Sequence, residues 1–304
     1  MSNNSNKKKI SSHWITVSFI ICCCYFLDSR TSEWLPDVNS NSLDFSVSSA
    51  RQHLADLVAL GPRVAGTAVN DIQTVQLLKS KLEAIQFLAP DHVKVEIDEQ
   101  HPSGEMYLGF LNGITNIYKN VSNVVVRISW PEAEAEHTHD SPAVTEQAVL
   151  VNAHFDSAPG SPGASDDGIG IAVMLEVTHA LVMGRALKKP IVMLFNGAEE
   201  SNHHAAHGFI TRHRWAKSIK YLLNLEAIGA GGREMVFQCN SAELIALYSK
   251  AAPFRHGQAL AHELFKHILW RAASTDWRTL LQHGSPGVVG CGGMWCGGVW
   301  WVLF

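Results

Sequence analysis

A chain of 304 residues, 46% apolar and 17% charged, can bury the core of one or two domains, which excludes a disordered protein. Its formal charge of -4 with histidines neutral supplies no basic stripe to track a phosphate backbone, so no nucleic-acid partner is expected. The six cysteines, three of them consecutive at residues 22–24 and the others at Cys239, Cys291 and Cys296, form no disulfide framework by spacing and leave the redox compartment open.

Residues 1–13 are a basic tail carrying Lys7, Lys8 and Lys9, followed by an apolar run at 14–27. This order suits either a signal peptide or an N-terminal anchor with its positive flank in the cytosol. The run is shorter than the roughly 20 residues of a spanning helix. Yet no small-x-small cleavage site stands at 27–33, which favours a retained membrane anchor. Either reading sends the remainder across a membrane, where the sequon Asn120-Val121-Ser122 is usable.

A polar linker occupies 28–44. Residues 45–60 then predict a helix with a serine-rich start and a Gly61-Pro62 stop. Ile72, Val75, Leu78, Leu82 and Ile85 predict one buried face of a helix over 71–86. Alternation at Val93, Val95 and Ile97 predicts a strand, and residues 124–128 predict another. The acidic stretch from Trp130 to Ala148 reads as a solvated hairpin loop. From there apolar runs at 148–153, 191–195 and 221–225 alternate with helical segments at 169–183 and 203–213, the pattern of an α/β sheet with helices on its faces.

Ligands in such sheets gather at the carboxyl ends of the strands. The residues there are His154 and Asp156, Glu199 and Glu200, and Glu226, while the loop after the first of these strands adds Asp166 and Asp167 among glycines. Each alone has an ordinary explanation as a turn, a helix N-cap or a solvated strand end. Together they are carboxylates crowded into one place, which repel one another unless a cation neutralises them. Imidazole and carboxylate without thiolate suit zinc. His154, Asp166, Glu200 and Glu226 are enough for two ions, leaving Glu199 free as a base and Asp156 placed to orient the His154 ring.

His154-Phe155-Asp156-Ser157, Gly163-Ala164-Ser165-Asp166-Asp167-Gly168, Asn196-Gly197-Ala198-Glu199-Glu200 and Asn224-Leu225-Glu226-Ala227 resemble the ordered motifs of the di-zinc exopeptidases that include bacterial aminopeptidases and glutamate carboxypeptidase. The resemblance covers about residues 45–287. It implies a mixed central sheet sandwiched by helices, in which His154 and Glu226 hold one zinc, Glu200 the other, and Asp166 bridges them. It also implies that Glu199 is the general base for a metal-activated water attacking peptide substrates. Gly61-Pro62-Arg63 and His207-Gly208-Phe209 bring the resemblance nearest to a branch anchored in the endoplasmic reticulum membrane, with its peptidase domain lumenal.

Two departures accompany it. The family completes its second zinc with a histidine from a Tyr-His motif, which does not follow Gly287 within these residues; 288–304 is instead a Gly, Cys, Trp and Val tail. One tightly bound zinc is therefore expected here, with lowered activity, together with an exposed sheet edge where the next strand would lie. His283 is expected in a loop. The second departure is the pair His203 and His207, four apart on the predicted helix and expected to face solvent or to support the site. Two other functions remain open: an inactive binding protein, and a single-zinc acyltransferase of the glutaminyl cyclase type.

Overall fold

The computed structural model describes residues 19, 45–108, 113–131, 147–227, 235–252, 255–257, 259–263, 275–284 and 289–294. All but residue 19 belong to the unit spanning 42–304. The expected anchor, linker and acidic hairpin lie almost wholly outside these residues. No helix among the described residues is long and apolar enough to cross a membrane.

The strands are β1 (Lys94–Gln100), β2 (Gly104–Leu108), β3 (Ile114–Tyr118), β4 (Asn123–Ser129), β5 (Ala148–His154), β6 (Ile191–Asn196), β7 (Ile219–Glu226), β8 (Met235–Cys239) and β9 (Val289–Met294). The helices are α1 (Val47–Val58), α2 (Val75–Phe87), α3 (Ile169–Met183), α4 (His204–Arg212), α5 (Ala242–Ala251), α6 (Ala259–Glu263) and α7 (Asp276–His283). Seven strands form one mixed sheet in the order β1-β4-β6-β5-β7-β9-β8, and β2 pairs with β3 as a separate ribbon. The central neighbours β6, β5, β7 and β9 run parallel, while β4, β1 and β8 are antiparallel to their partners.

Both faces of this sheet are covered, which is why its central strands read as continuous apolar runs rather than alternating ones. Val124, Val126 and Ile128 of β4 with Met193 and Phe195 of β6 join one core with α1, α2 and α3. Val125, Val192, Leu194 and Leu150 point the other way, against Phe209 and Ile210 of α4 and Leu280 of α7. The helix α3 is buried along most of its length and carries one acid, Glu176. Glu176 accepts the Ser46 N–H at 2.9 Å and lies 3.7 Å from His53 Nε2, tying the start of α1 to the middle of α3.

Three expectations are corrected. The helix predicted over 71–86 begins as a π-helical turn, Val69–Thr74, before α2. The wider turn shifts the phase of the helix, so Ile72 is 54% exposed although Val75, Leu78, Leu82 and Ile85 are buried as expected. The edge expected beyond β7 is not open, because β9 pairs parallel to β7 and antiparallel to β8, bringing the first part of the tail into the sheet. His283 closes α7 rather than lying in a loop. The redox question left open by the cysteine spacing is answered at one position: Cys239 is disulfide-bonded, and the strand register sets its Cα opposite that of Cys291.

Candidate metal centre

The parallel strands β5 and β7 end side by side, and their last residues are His154 and Glu226. His154 is 1% exposed; its Nε2 lies 3.1 Å from Asp166 Oδ1 and 3.5 Å from Glu226 Oε1. Asp166 reaches this point from the kinked turn Ala164–Gly168, in which Asp166 and Asp167 have non-helical backbone angles and are joined by a cis peptide. One ligand atom from each of His154, Asp166 and Glu226 falls within 4.8 Å of the others. Sequence reasoning had joined these three, and the fold brings them together.

Asp156 binds both parts of the site. Its carboxylate lies 3.3 Å from His154 Nδ1, and its backbone oxygen 3.1 Å from the same nitrogen. Asp156 Oδ1 and Oδ2 also accept the backbone N–H groups of Glu199 and Glu200, at 3.0 and 3.1 Å. One buried carboxylate thus sets both the ring of His154 and the turn that carries the two glutamates. Glu200 itself is exposed and stands outside the three-donor group.

Arg63, which in the sequence stands out only through the Gly61-Pro62-Arg63 resemblance, is fully buried and organises the loop after β5. It donates to the carbonyls of Phe155 at 2.6 Å, Pro162 at 2.6 Å and Gly163 at 3.1 Å. Burial lowers its pKa to about 10, opposed by the charge of Asp156. Gly163 has a φ of +54° here, and a Cβ would come within 2.8 Å of the Arg63 guanidinium, so only glycine suits the position.

Beneath the site the fold builds a network that the sequence did not reveal. Asn196, Asn152 and Asn224 occupy adjacent strands β6, β5 and β7. Asn196 donates to Asn152 at 2.9 Å, and Asn152 donates to Asn224 at 2.6 Å. Asp276 at the start of α7 accepts from Asn196 at 2.6 Å and from Asn152 at 3.0 Å. Each asparagine sits two or three residues before a candidate site residue, so the ladder holds the strand ends in register. The signal was available as an asparagine near the end of each of three apolar runs.

The electrostatics favour a cation. Burial raises the pKa of Glu226 and of Asp167, with nearby carboxylates adding to the effect and His154 opposing it. Burial also carries Glu199 up to about 7. For His154 burial works downward, but Asp156, Asp166 and Glu226 outweigh it and hold the imidazolium well above the usual histidine range. Glu226 Oε2 is buried without a hydrogen-bond partner among the described residues. An imidazole and two carboxylates, one of them with an orphaned buried oxygen, are a donor set that fits zinc.

His203 supports the site, as expected of it, but His207 stands apart. His203 precedes α4 in a left-handed conformation, with its Nε2 3.3 Å from Glu199 Oε1 and its Nδ1 3.1 Å from Thr279 Oγ1. His207 is buried, bonded through Nδ1 to the Tyr118 hydroxyl at 2.8 Å, with the His283 ring against its edge at 4.6 Å. Their different backbone conformations separate side chains that a continuous helix would have aligned.

Residues 133–290 match the model for peptidase family M28, a span of over half the chain that contains all six candidate residues. The chain belongs to peptidase family M28. This family is one of zinc-dependent metallopeptidases. Human endoplasmic reticulum metallopeptidase 1 is 39% identical over 249 residues, covering 81% of this M28 chain and 26% of its own length. A putative endoplasmic reticulum metallopeptidase 1 of Schizosaccharomyces pombe is 34% identical over 257 residues, covering 82% of the chain and 30% of its own length. The M28 chain therefore spans only about a quarter to a third of these relatives. Among solved structures, a zinc aminopeptidase from Bacillus subtilis matches with a TM-score of 0.57 at 16% identity, covering 83% of this chain and 85% of that one. Porphyromonas gingivalis glutaminyl cyclase matches with a TM-score of 0.55 at 19% identity, covering 82% of each. Both likenesses show the fold.

Proposed function

We propose that this M28 chain is a zinc-dependent exopeptidase of aminopeptidase type. The observation that carries the reading is the convergence of His154, Asp166 and Glu226 donor atoms within 4.8 Å, beside a largely buried Glu199 whose pKa is about 7. His154, Asp166 and Glu226 would hold one zinc, with Glu200 at the margin as a ligand for a second, more weakly held ion. Zinc, when bound, supplies a Lewis acid that polarises the scissile carbonyl and lowers the pKa of water.

The protein's own groups do the rest. Asp156 keeps the Nε2 side of the His154 ring turned toward Asp166 and Glu226, and at the same time fixes the Glu199 backbone. Glu199 takes the proton from water as it attacks the peptide carbonyl and returns it to the leaving amine, a role suited to a pKa near neutrality. Substrates are peptides with a free N-terminus.

Peptide hydrolysis abolished by a chelator and restored by added zinc is the expected result. Glu199→Gln should leave the zinc content intact and lower turnover by about 10² to 10⁴, the usual worth of a positioned base. Zinc binding with no hydrolysis of any free N-terminal peptide would instead identify a binding protein. Ammonia release from an N-terminal glutamine peptide would identify a cyclase.

We further propose that residues 42–304 lie in the lumen of the endoplasmic reticulum, held by an N-terminal anchor at 14–27. A disulfide at Cys239 suits an oxidising compartment, Asn120 of the sequon is exposed, and the relatives named above carry that compartment in their names.

A further inference from the structure

We infer that His203 and Thr279 form a hydrogen-bonded relay that positions Glu199, so that α7, which lies outside the motifs carrying the site, takes part in the reaction through His203. The inference rests on the reading of Glu199 as the base. His203 Nε2 lies 3.3 Å from Glu199 Oε1, and His203 Nδ1 lies 3.1 Å from Thr279 Oγ1. The side chains of His203 and Glu199 are 13% and 11% exposed, and Thr279 is 5% exposed, so water competes little for these contacts.

The chemistry of the three groups sets the direction of the bonds. An ionised carboxylate is only an acceptor, so the imidazole must present its Nε2–H to Glu199. The neutral ring then has an unprotonated Nδ1, which can only accept, and the Thr279 hydroxyl is the donor that meets it. A threonine on α7 therefore selects the tautomer of a histidine before α4, and that tautomer selects the orientation of the glutamate. One carboxylate oxygen is held by the imidazole, and the other remains to handle the proton.

The backbone supports the same reading. His203 adopts a φ of 58°, a left-handed conformation uncommon for a residue with a Cβ. Its N–H bonds to the Glu199 carbonyl at 2.8 Å, closing a turn that folds the imidazole back over the glutamate four residues earlier.

Paired substitutions at Thr279 separate a hydrogen bond from packing. Thr279→Val keeps the shape and removes the hydroxyl, whereas Thr279→Ser keeps the hydroxyl and removes a methyl group. Val should lower kcat three- to tenfold with KM within twofold and zinc content unchanged, while Ser should retain wild-type kcat. His203→Asn, chosen because asparagine tolerates the left-handed backbone, should lower kcat at least as far. The double variant with Thr279→Val should be no worse than His203→Asn alone.

Nitrogen-15 spectra of histidine-labelled protein read the same relay without turnover. The His203 Nδ1 signal of a hydrogen-bonded acceptor should be lost in Thr279→Val and kept in Thr279→Ser. Wild-type kcat in Thr279→Val, loss in Ser equal to that in Val, or a His203 spectrum indifferent to Thr279 would each overturn the relay. Glu199→Gln separates the two readings. An inactive Glu199→Gln beside an unaffected Thr279→Val removes only the relay, whereas a fully active Glu199→Gln removes the base itself.

Discussion

Glu226 meets His154 with one carboxylate oxygen and keeps the other buried without a partner among the described residues, an arrangement whose cost a cation would offset. Asp166 supplies the third donor from a side chain that is 49% exposed, so replacing it disturbs the core little. Asp166→Ala should therefore reduce zinc from about one equivalent to near none after dialysis while leaving the melting temperature of the metal-free protein almost unchanged. A full equivalent retained would remove Asp166 from the ligand set. A separate residue-scale effect concerns His204, which stacks on Tyr118 with ring centroids 4.9 Å apart. Burial lowers the pKa of His204, and of His207, from 6.5 to about 4. The unfolded chain thus binds these protons more readily than the folded one. Stability is full above pH 6.5 and falls as the pH drops toward 4, at up to about 1.4 kcal/mol per unit for each histidine. His204→Phe keeps the stacking and removes one proton site, so its melting temperature should fall less steeply over that range. An unchanged slope would assign the acid sensitivity elsewhere.

At the scale of elements, the asparagine ladder across β6, β5 and β7 is the most exacting part of the design. Asn152 gives hydrogen bonds to Asn224 and Asp276 and receives one from Asn196. Asn152→Leu removes three buried hydrogen bonds at once, leaving Asn224 Oδ1 without its donor, and a destabilisation of about 2–4 kcal/mol is expected in urea unfolding. A loss below about 1 kcal/mol would mean that the ladder is re-satisfied by water. The paired strands β8 and β9 form the outer part of the sheet on the far side of β7, and the disulfide at Cys239 belongs to this region. Reduction should lower the melting temperature at neutral pH, and Cys239→Ser should reproduce the loss without further sensitivity to reductant. Equal melting curves with and without reductant would show that the bond contributes nothing to the fold.

At the scale of the whole molecule, the lumenal placement is tested through Asn120, which is exposed and whose backbone N–H donates to Ser103 Oγ at 2.9 Å. Translation with microsomes should add one glycan removable by endoglycosidase and absent from Asn120→Gln. Digestion of residues 42–304 by protease outside sealed microsomes would contradict the orientation.

The six candidate residues, His154, Asp156, Asp166, Glu199, Glu200 and Glu226, could be picked out because a parallel sheet places its chemistry at strand ends, and apolar runs mark where strands end. Apolar runs likewise marked the central strands and α3, and apolar spacing marked α1 and most of α2. Four things were decided only in three dimensions. Asp156 holds two elements through both its oxygens, and Arg63 directs its charge to the carbonyls of a loop about a hundred residues away. The weakly patterned glycine-rich segment of β9 is a strand because β7 and β8 offer it backbone partners on both sides, a hydrogen-bonding demand that no local propensity records. His203 and His207 likewise part company because Asn202 and His203 both leave the right-handed helical region of backbone space. Sequence patterns report which residues share a local period, whereas these contacts depend on long-range closure of the chain, where burial and hydrogen-bond satisfaction override local preference.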